Sequence, residues 1–439
     1  MEDQTEDRNA AGRAVLAALA SLPAGPALGR AAARTAGVHL VGGAVRDLLL
    51  GNRPRELDVV VDGDPAELIA DLVGNDAADV APEVVRHARF GTASVERDGG
   101  RIDIARARRE RYLRPGALPE VEPAPLADDL RRRDFTVNAI AVSLPDGRVA
   151  AAPHALEDLA AGRLRVLHDE SFHDDPTRLL RLARLRVRLG FAVEQRTLEL
   201  AAGADLGTVS GARIGAELRL ALAEPDPVVA LVALAELPGL PLDVDRGVIR
   251  RACDLLDAAG PRDLLLLAAV TRRRADPAWL AGLELTAAER DVVLAGWEAG
   301  PLARAIAAAA SPSELRRLLR RQPVEAVALA GALGPAAAAG RWLGELRHVT
   351  LEIDGDDLVT AGIAPGPELG RRLEWTLARK LDGLLPAGRE AELITALSDA
   401  AVETGPSADG RSAPPAGPRP PGHRRLQAPD RRRAKGWLA

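Results

Sequence analysis

The segment LVGGAVRDLLLGNRPRELDVVVDGD, Leu40 to Asp64, constrains the chain most, because its hydrophobic period changes from strand to helix and back to strand. An apolar run from Val38 to Val41 meets Gly42-Gly43, Ala44 to Leu50 follows at helical spacing, and Leu57 to Val61 reads as a second strand. Paired glycines let a backbone approach a ligand closely, and the free amides of a helix start suit phosphate oxygens. The helix carries Arg46 and Asp47 on its first turns, and Arg46 adds a charge-assisted contact to the same phosphates. On a strand, residues i and i+2 share a face, so Glu56 and Asp58 point the same way. Two carboxylates beside a phosphate cradle suit two divalent ions about 4 Å apart, the arrangement used for in-line phosphoryl or nucleotidyl transfer.

Further along, Ala66 to Val73 reads as a helix, and Thr92 to Glu96, Arg101 to Ala105 and Asn138 to Ser143 as strands. That mixture predicts an α/β head over residues 37–165, behind an Ala-rich helical extension over 1–36. After about residue 170 strand signals vanish. Leu, Ala, Arg and Glu at helical spacing predict an all-α neck over 166–225 and a helical body over 226–403. Residues 404–439 are rich in Pro, Gly, Ser and Arg, which predicts a disordered basic tail.

Composition narrows the chemistry. Cys253 is the only cysteine and aromatic residues make up 2% of the chain, which excludes a disulfide scaffold, a cysteine-ligated zinc site and an aromatic stacking platform. No apolar run reaches the roughly 20 residues needed to span a bilayer, and the start MEDQTEDRN is acidic where a signal peptide is basic. A cytoplasmic protein with no membrane partner is expected. The net charge is -5, while the tail holds eight basic residues against Asp409 and Asp430, so residues 1–403 stand near -11. Any nucleic-acid site is therefore a local basic surface.

Three other stretches bear on chemistry. Arg132 to Ala139 reads RRDFTVNA, with Arg133, Asp134 and Asn138 as its polar positions. Asp103, on a strand of alternating pattern, is the candidate for a third carboxylate that orients a metal or accepts a proton. Arg108 to Tyr112 with Pro115-Gly116 reads as a loop, either mobile near a ligand or merely solvated. From Ser171 to Phe191, Asp175 and Pro176 start a helix on which Arg178, Arg181 and Arg184 recur every third residue beside Leu179, Leu182 and Leu185. A carboxylate acceptor and an arginine donor together read a base edge that shows an exocyclic amine beside a ring-nitrogen acceptor, as cytosine and adenine do.

These motifs resemble the class II tRNA CCA-adding enzyme and bacterial poly(A) polymerase family of the polymerase-β superfamily. GGAVRDLLLG followed by Glu56 and Asp58 is similar to its first motif, and RRDFTVNA matches its second at every fixed position. Asp175, Arg178, Arg181 and Arg184 match its base-reading motif. The resemblance covers roughly residues 37–395. It implies a mixed-sheet nucleotidyltransferase head followed by an all-α neck, body and tail. It also implies a Mg²⁺-dependent enzyme with two ions on Glu56 and Asp58, assisted by Asp103. Gly42, Gly43, Arg46, Asp47, Arg133, Asp134 and Asn138 would bind the nucleotide, and Asp175 with Arg178, Arg181 and Arg184 would select CTP and ATP for addition to the tRNA 3′ end. The helical body would grip the tRNA acceptor arm.

The pattern is broken in places. Glu56 stands where the family usually has Asp, which lengthens the reach to a metal by one methylene. AAPHALEDLAAGRLRVLH, before the neck, keeps Asp158 and Arg165 but lacks the family's Asp and Gly near Ala152 to Leu156. Addition of CC alone, of A alone or of poly(A), and a retired enzyme that only binds RNA, stay open as alternatives.

Overall fold

The computed structural model describes residues 2–74, 83–87, 92–256 and 262–398. The basic tail expected over 404–439 lies outside the described residues. Two compact units are present, one built from residues 2–217 and 236–239, the other from 218–235 and 240–398.

The first unit begins with helices α1 (Glu2–Ala20) and α2 (Gly25–Ala32). Strand β1 (Val38–Val41) runs into α3 (Gly42–Leu49) and on to β2 (Leu57–Val61) and α4 (Ala66–Gly74). Then come β3 (Glu83–His87), β4 (Thr92–Arg97) and β5 (Gly100–Arg106). A hairpin of β6 (Arg108–Arg111) and β7 (Glu120–Pro123) precedes α5 (Leu126–Arg131), β8 (Ile140–Ser143) and β9 (Val149–Ala151). Seven strands form one mixed sheet in the order β3-β4-β5-β2-β1-β8-β9. Only β2 and β5 pair in parallel there, and their register sets Asp58 opposite Asp103. Ile102 and Ile104 on β5 and Phe135 are fully buried, so the apolar alternation of β5 leaves Asp103 on the other face.

Beyond the sheet, α6 (Ala155–Ala160), α7 (Ser171–Asp174), α8 (Thr177–Leu189), α9 (Gln195–Ala201) and α10 (Gly211–Leu222) follow. Pro176 and Gly190 bracket α8, and Gly190 takes the left-handed conformation that ends it. The second unit carries a run of helices from Pro227–Ala235 to Arg389–Leu397. Among the described residues no helix is long and apolar enough to cross a membrane.

Two features escaped the sequence. The stretch from Arg108 to Arg111 is no loop but one arm of the β6–β7 hairpin, paired antiparallel from Arg108↔Pro123 to Arg111↔Glu120, while Tyr112 and Pro115-Gly116 lie in the connection between the arms. Its alternation is charge against charge, which carries no hydrophobic period. At its tip Gly116 has φ +69°, and a Cβ there would stand 2.6 Å from the Thr208 carbonyl oxygen. A two-residue parallel pairing of Arg163–Leu164 with Ala192–Val193 also extends strand structure beyond residue 170, too briefly for periodicity to show it.

Ile102 sits on the strand that positions Asp103. Its replacement in Ile102→Ala is expected to cost about 2 to 5 kcal/mol, seen as a lower urea midpoint and faster amide exchange in β2 and β5.

Candidate active site

Glu56 stands one residue before β2, Asp58 lies within it, and β5 brings Asp103 alongside. One carboxylate oxygen from each lies within 4.8 Å of the others. Burial, then the charges of Glu56 and Asp103, push the Asp58 carboxyl up to about 7 against the pull of Arg133 and Arg46. Glu56 is raised as well, by burial first and then by Asp103. The Arg101 guanidinium donates from Nε to both Asp103 oxygens at 3.0 and 3.2 Å, and the Ser94 hydroxyl donates to Oδ1. Three clustered carboxylate oxygen donors fit a hard divalent cation such as Mg²⁺.

Gly42 makes the turn from β1 into α3 with φ +69°. A Cβ there would stand 2.6 Å from Arg133 Nη1 and 3.6 Å from Asp58 Oδ2, so the missing side chain is what allows the guanidinium against the turn. Asp129, fully buried on α5, holds that guanidinium through Oδ2 at 2.9 Å and grips Arg132 as well. The Asp129 carboxyl stays below its ordinary range because Arg133 and Arg132 outweigh the burial that opposes its ionisation.

A cavity of about 440 Å³ opens beside the glycines. Gly42, Gly43, Arg133, Asp134, Asn138, Asp175, Arg178 and Arg181 are among the residues of its wall. Asp175 Oδ1 accepts from the Thr177 amide (3.0 Å), the Thr177 hydroxyl (2.6 Å) and Arg213 Nη2 (2.6 Å). These donors and nearby arginines overcome burial and keep Asp175 ionised below the usual carboxylate range. Arg178 donates to Ser171 Oγ at 2.6 Å and to the Arg132 carbonyl at 2.7 Å, which spends two of its five N–H groups. Burial opposes ionisation of Asp134 too, but Arg181 and the Asn138 amide hold its carboxyl low.

Three of the expected nucleotide-binding residues lie away from this wall. Arg46, 3% exposed, turns inward and donates to Asp47 and to Asn138, and Asp47 accepts in addition from Arg188. Arg184 approaches Glu217 Oε2 at 3.5 Å. Sequence reasoning missed Arg213, Glu217, Tyr112 and Asp129. The i,i+4 spacing of Arg213 and Glu217 on α10 was the signal for the first two, since Glu217 Oε1 accepts from Arg181 at 2.7 Å while Arg213 holds Asp175. Asp129 stands three and four residues before the arginines it holds. Tyr112, on the cavity wall, donates its hydroxyl to Glu110 at 3.0 Å, and the sequence marked it only as the end of a charged stretch that could lie near a ligand. Asp158, retained where its neighbourhood departs from the family pattern, is buried and accepts from Thr136 Oγ1 at 2.9 Å and Arg165 Nε at 2.8 Å.

A folded-state carboxyl at about 7 keeps a proton that the unfolded chain has already released at lower pH. Ion-free protein is therefore expected to lose stability as pH rises from about 4 to 7, and a divalent ion to offset that loss. Ion binding displaces the proton, so Mn²⁺ affinity measured by calorimetry should weaken about tenfold for each pH unit below 7, a slope that Asp58→Asn makes shallower.

Comparison with known proteins gives these likenesses. Residues 38–165 match the Poly A polymerase head domain. The chain is 35% identical over 383 residues to a CC-adding tRNA nucleotidyltransferase of Deinococcus radiodurans, covering 83% of this chain and 90% of that one. It is 39% identical over 213 residues to an A-adding tRNA nucleotidyltransferase of Halalkalibacterium halodurans, where the match spans 46% of this chain and about half, 48%, of the relative. A CCA-adding enzyme in an apo form superposes with a TM-score of 0.65 at 30% identity, over 81% of this chain and 90% of that one. The Thermotoga maritima CCA-adding enzyme complexed with tRNA gives 0.62 at 27% identity, over 82% and 91%.

Proposed function

The chain belongs to the tRNA nucleotidyltransferase and poly(A) polymerase family of enzymes, and from that premise we propose that it adds CMP and AMP from CTP and ATP to the 3′ end of tRNA. The observation that carries this reading is the union in one unit of a carboxylate cluster, a glycine turn with Arg133 against it, and a buried Asp175–Arg178 pair in the adjoining cavity. In this reading residues 37–165 are the catalytic head and 166–225 the base-reading neck, with the helical body over 226–403 holding the tRNA acceptor arm by shape.

Glu56 and Asp58 would hold Mg²⁺, two ions in this reading, with Asp103 beside them. When bound, Mg²⁺ neutralises charge on the triphosphate and activates the terminal hydroxyl of the RNA. Asp103 accepts the proton as that hydroxyl attacks the α-phosphorus and pyrophosphate leaves. The Gly42-Gly43 backbone and Arg133 receive the triphosphate, and Asp134 and Asn138 frame the sugar. At the base, Asp175 accepts from the exocyclic amine and Arg178 donates to the ring nitrogen. Uracil and guanine present a carbonyl and a protonated ring nitrogen there, leaving buried groups unpaired. Arg181 and Arg184, tied to Glu217, keep α8 in place, and the inward-turned Arg46 and Asp47 support the cradle from behind.

A second reading, addition of CC alone or of A alone, is favoured by the names of the relatives compared above: the one at 35% identity is a CC-adding and the one at 39% an A-adding tRNA nucleotidyltransferase. Three tRNA transcripts, ending before CCA, after the first C and after the second, each incubated with Mg²⁺ and CTP, ATP or both, separate the readings. Orderly addition of CCA with a stop supports the first, C alone or A alone supports the second, and binding without extension rejects both.

Two variants probe the site. Gly42→Ala places a Cβ in a left-handed position against Arg133 and is expected to lower kcat/KM by about 10-fold or more, measured as single-nucleotide extension of the matching transcript. Asp175→Ala and Arg178→Ala should each relax the preference for CTP and ATP over UTP and GTP by roughly 5- to 100-fold, read from misincorporation rates.

A further inference from the structure

We infer that Arg188, two turns down α8 from the cavity, is a positioning residue for nucleotide selection, acting through a polar circuit, buried at its middle, that begins and ends on that helix. Arg188 Nη2 donates to Asp47 Oδ2 at 2.9 Å. The other oxygen, Asp47 Oδ1, accepts from Arg46 Nε at 2.8 Å and Nη2 at 2.6 Å. Arg46 Nη1 donates to Asn138 Oδ1 at 2.5 Å, and Asn138 Nδ2 donates to Asp134 Oδ1 at 2.9 Å. The circuit closes where Arg181 Nη1, again on α8, stands 3.8 Å from Asp134 Oδ2.

The geometry gives this circuit a task. Arg181 and Arg188 are seven residues apart, about 10 Å along the helix axis. The helix is thus held in two separated regions, to the glycine-turn helix α3 at Arg188 and to the RRDFTVNA segment near its start, where Arg181 faces Asp134 and Arg178 donates to the Arg132 carbonyl. One point of attachment would leave α8 free to pivot, whereas two set its tilt and its rotation. Asp175 and Arg178 sit at the start of the same helix, so their placement relative to Gly42, Gly43 and Arg133 follows from both attachments. Arg46, Asp47 and Asn138 are between 3 and 9% exposed, and water competes little for their hydrogen bonds. Their position also explains why Arg46 and Asp47, on a motif read as nucleotide-binding, are turned away from the cavity.

This inference rests on the nucleotidyl-transfer reading, and selectivity tests it. Discrimination between cytosine and uracil depends on where the base-reading pair is held, so loosening α8 should act on that ratio. In full-length Arg188→Met the ratio of kcat/KM for CTP over UTP is expected to fall about tenfold, through a higher KM for CTP with little change in kcat. Arg188→Lys should recover part of the ratio, since an ammonium still reaches Asp47 but without the fork geometry. Asp47→Asn should shift the ratio in the same direction, and the double variant Asp47→Asn with Arg188→Met should show less than the product of the single effects. If Arg188→Met does not fold, Arg188→Lys and Asp47→Asn carry the same comparison. A folded Arg188→Met that melts earlier yet keeps the wild-type ratio would overturn the inference, as would single effects that multiply independently. Wild-type protein that extends no RNA would overturn the enzymatic reading and this inference with it.

Discussion

Mutual repulsion among three carboxylates is the constraint around which the head is organised. Glu56, Asp58 and Asp103 are held within 4.8 Å although their charges oppose it, and burial first, then the neighbouring carboxylates, drives Asp58 up to about 7. Only a rigid scaffold keeps such a cluster together. The parallel pairing of β2 with β5 supplies it, because a register shift of one residue would carry Asp103 to the face that buries Ile102 and Ile104. The apolar side of β5 thus fixes the charged side.

Cations are arranged around that cluster with the same economy of freedom. Arg133 lies against a glycine that has no side chain to exclude it and is anchored from behind by Asp129. Arg101 engages Asp103 from the exposed side. In the cavity beyond, Asp175 and Arg178 are buried and already hydrogen-bonded, so little side-chain entropy remains to be lost when a base arrives. Preorganised polar groups of this kind discriminate because a mismatched base leaves them unpaired.

Much of the head was legible in advance for a physical reason. Val38–Val41 and Leu57–Val61 are short β-branched and aliphatic runs bounded by glycine, proline and charge, and both occur as read. The neck helix announced itself through Asp175, Pro176 and its leucine stripe. The β6–β7 hairpin did not, since β6 is charged at every position, β7 is only four residues long, and the pairing is visible only once both arms are placed. Arg46 illustrates the same limit from another side. A guanidinium next to two glycines suggests a phosphate contact, but whether it faces a ligand or a buried carboxylate depends on Arg188 and Asn138, 142 and 92 positions further along the chain.

By itself the sequence determined the chemical inventory and its local spacing: glycines at a strand-to-helix turn, carboxylates two apart at the start of a strand, arginines on a helix that opens with Asp175. These follow from short-range periodicity, which each segment carries alone. Only the tertiary structure decided which of those groups meet. The β2–β5 register joined Asp103 to Asp58, Glu217 and Arg213 claimed their partners on and before α8, and the circuit from Arg188 to Asp134 turned Arg46 and Asp47 inward. Pairings between residues distant in sequence are settled by strand register and by the cost of leaving a buried charge without a partner, and neither is written in any single segment.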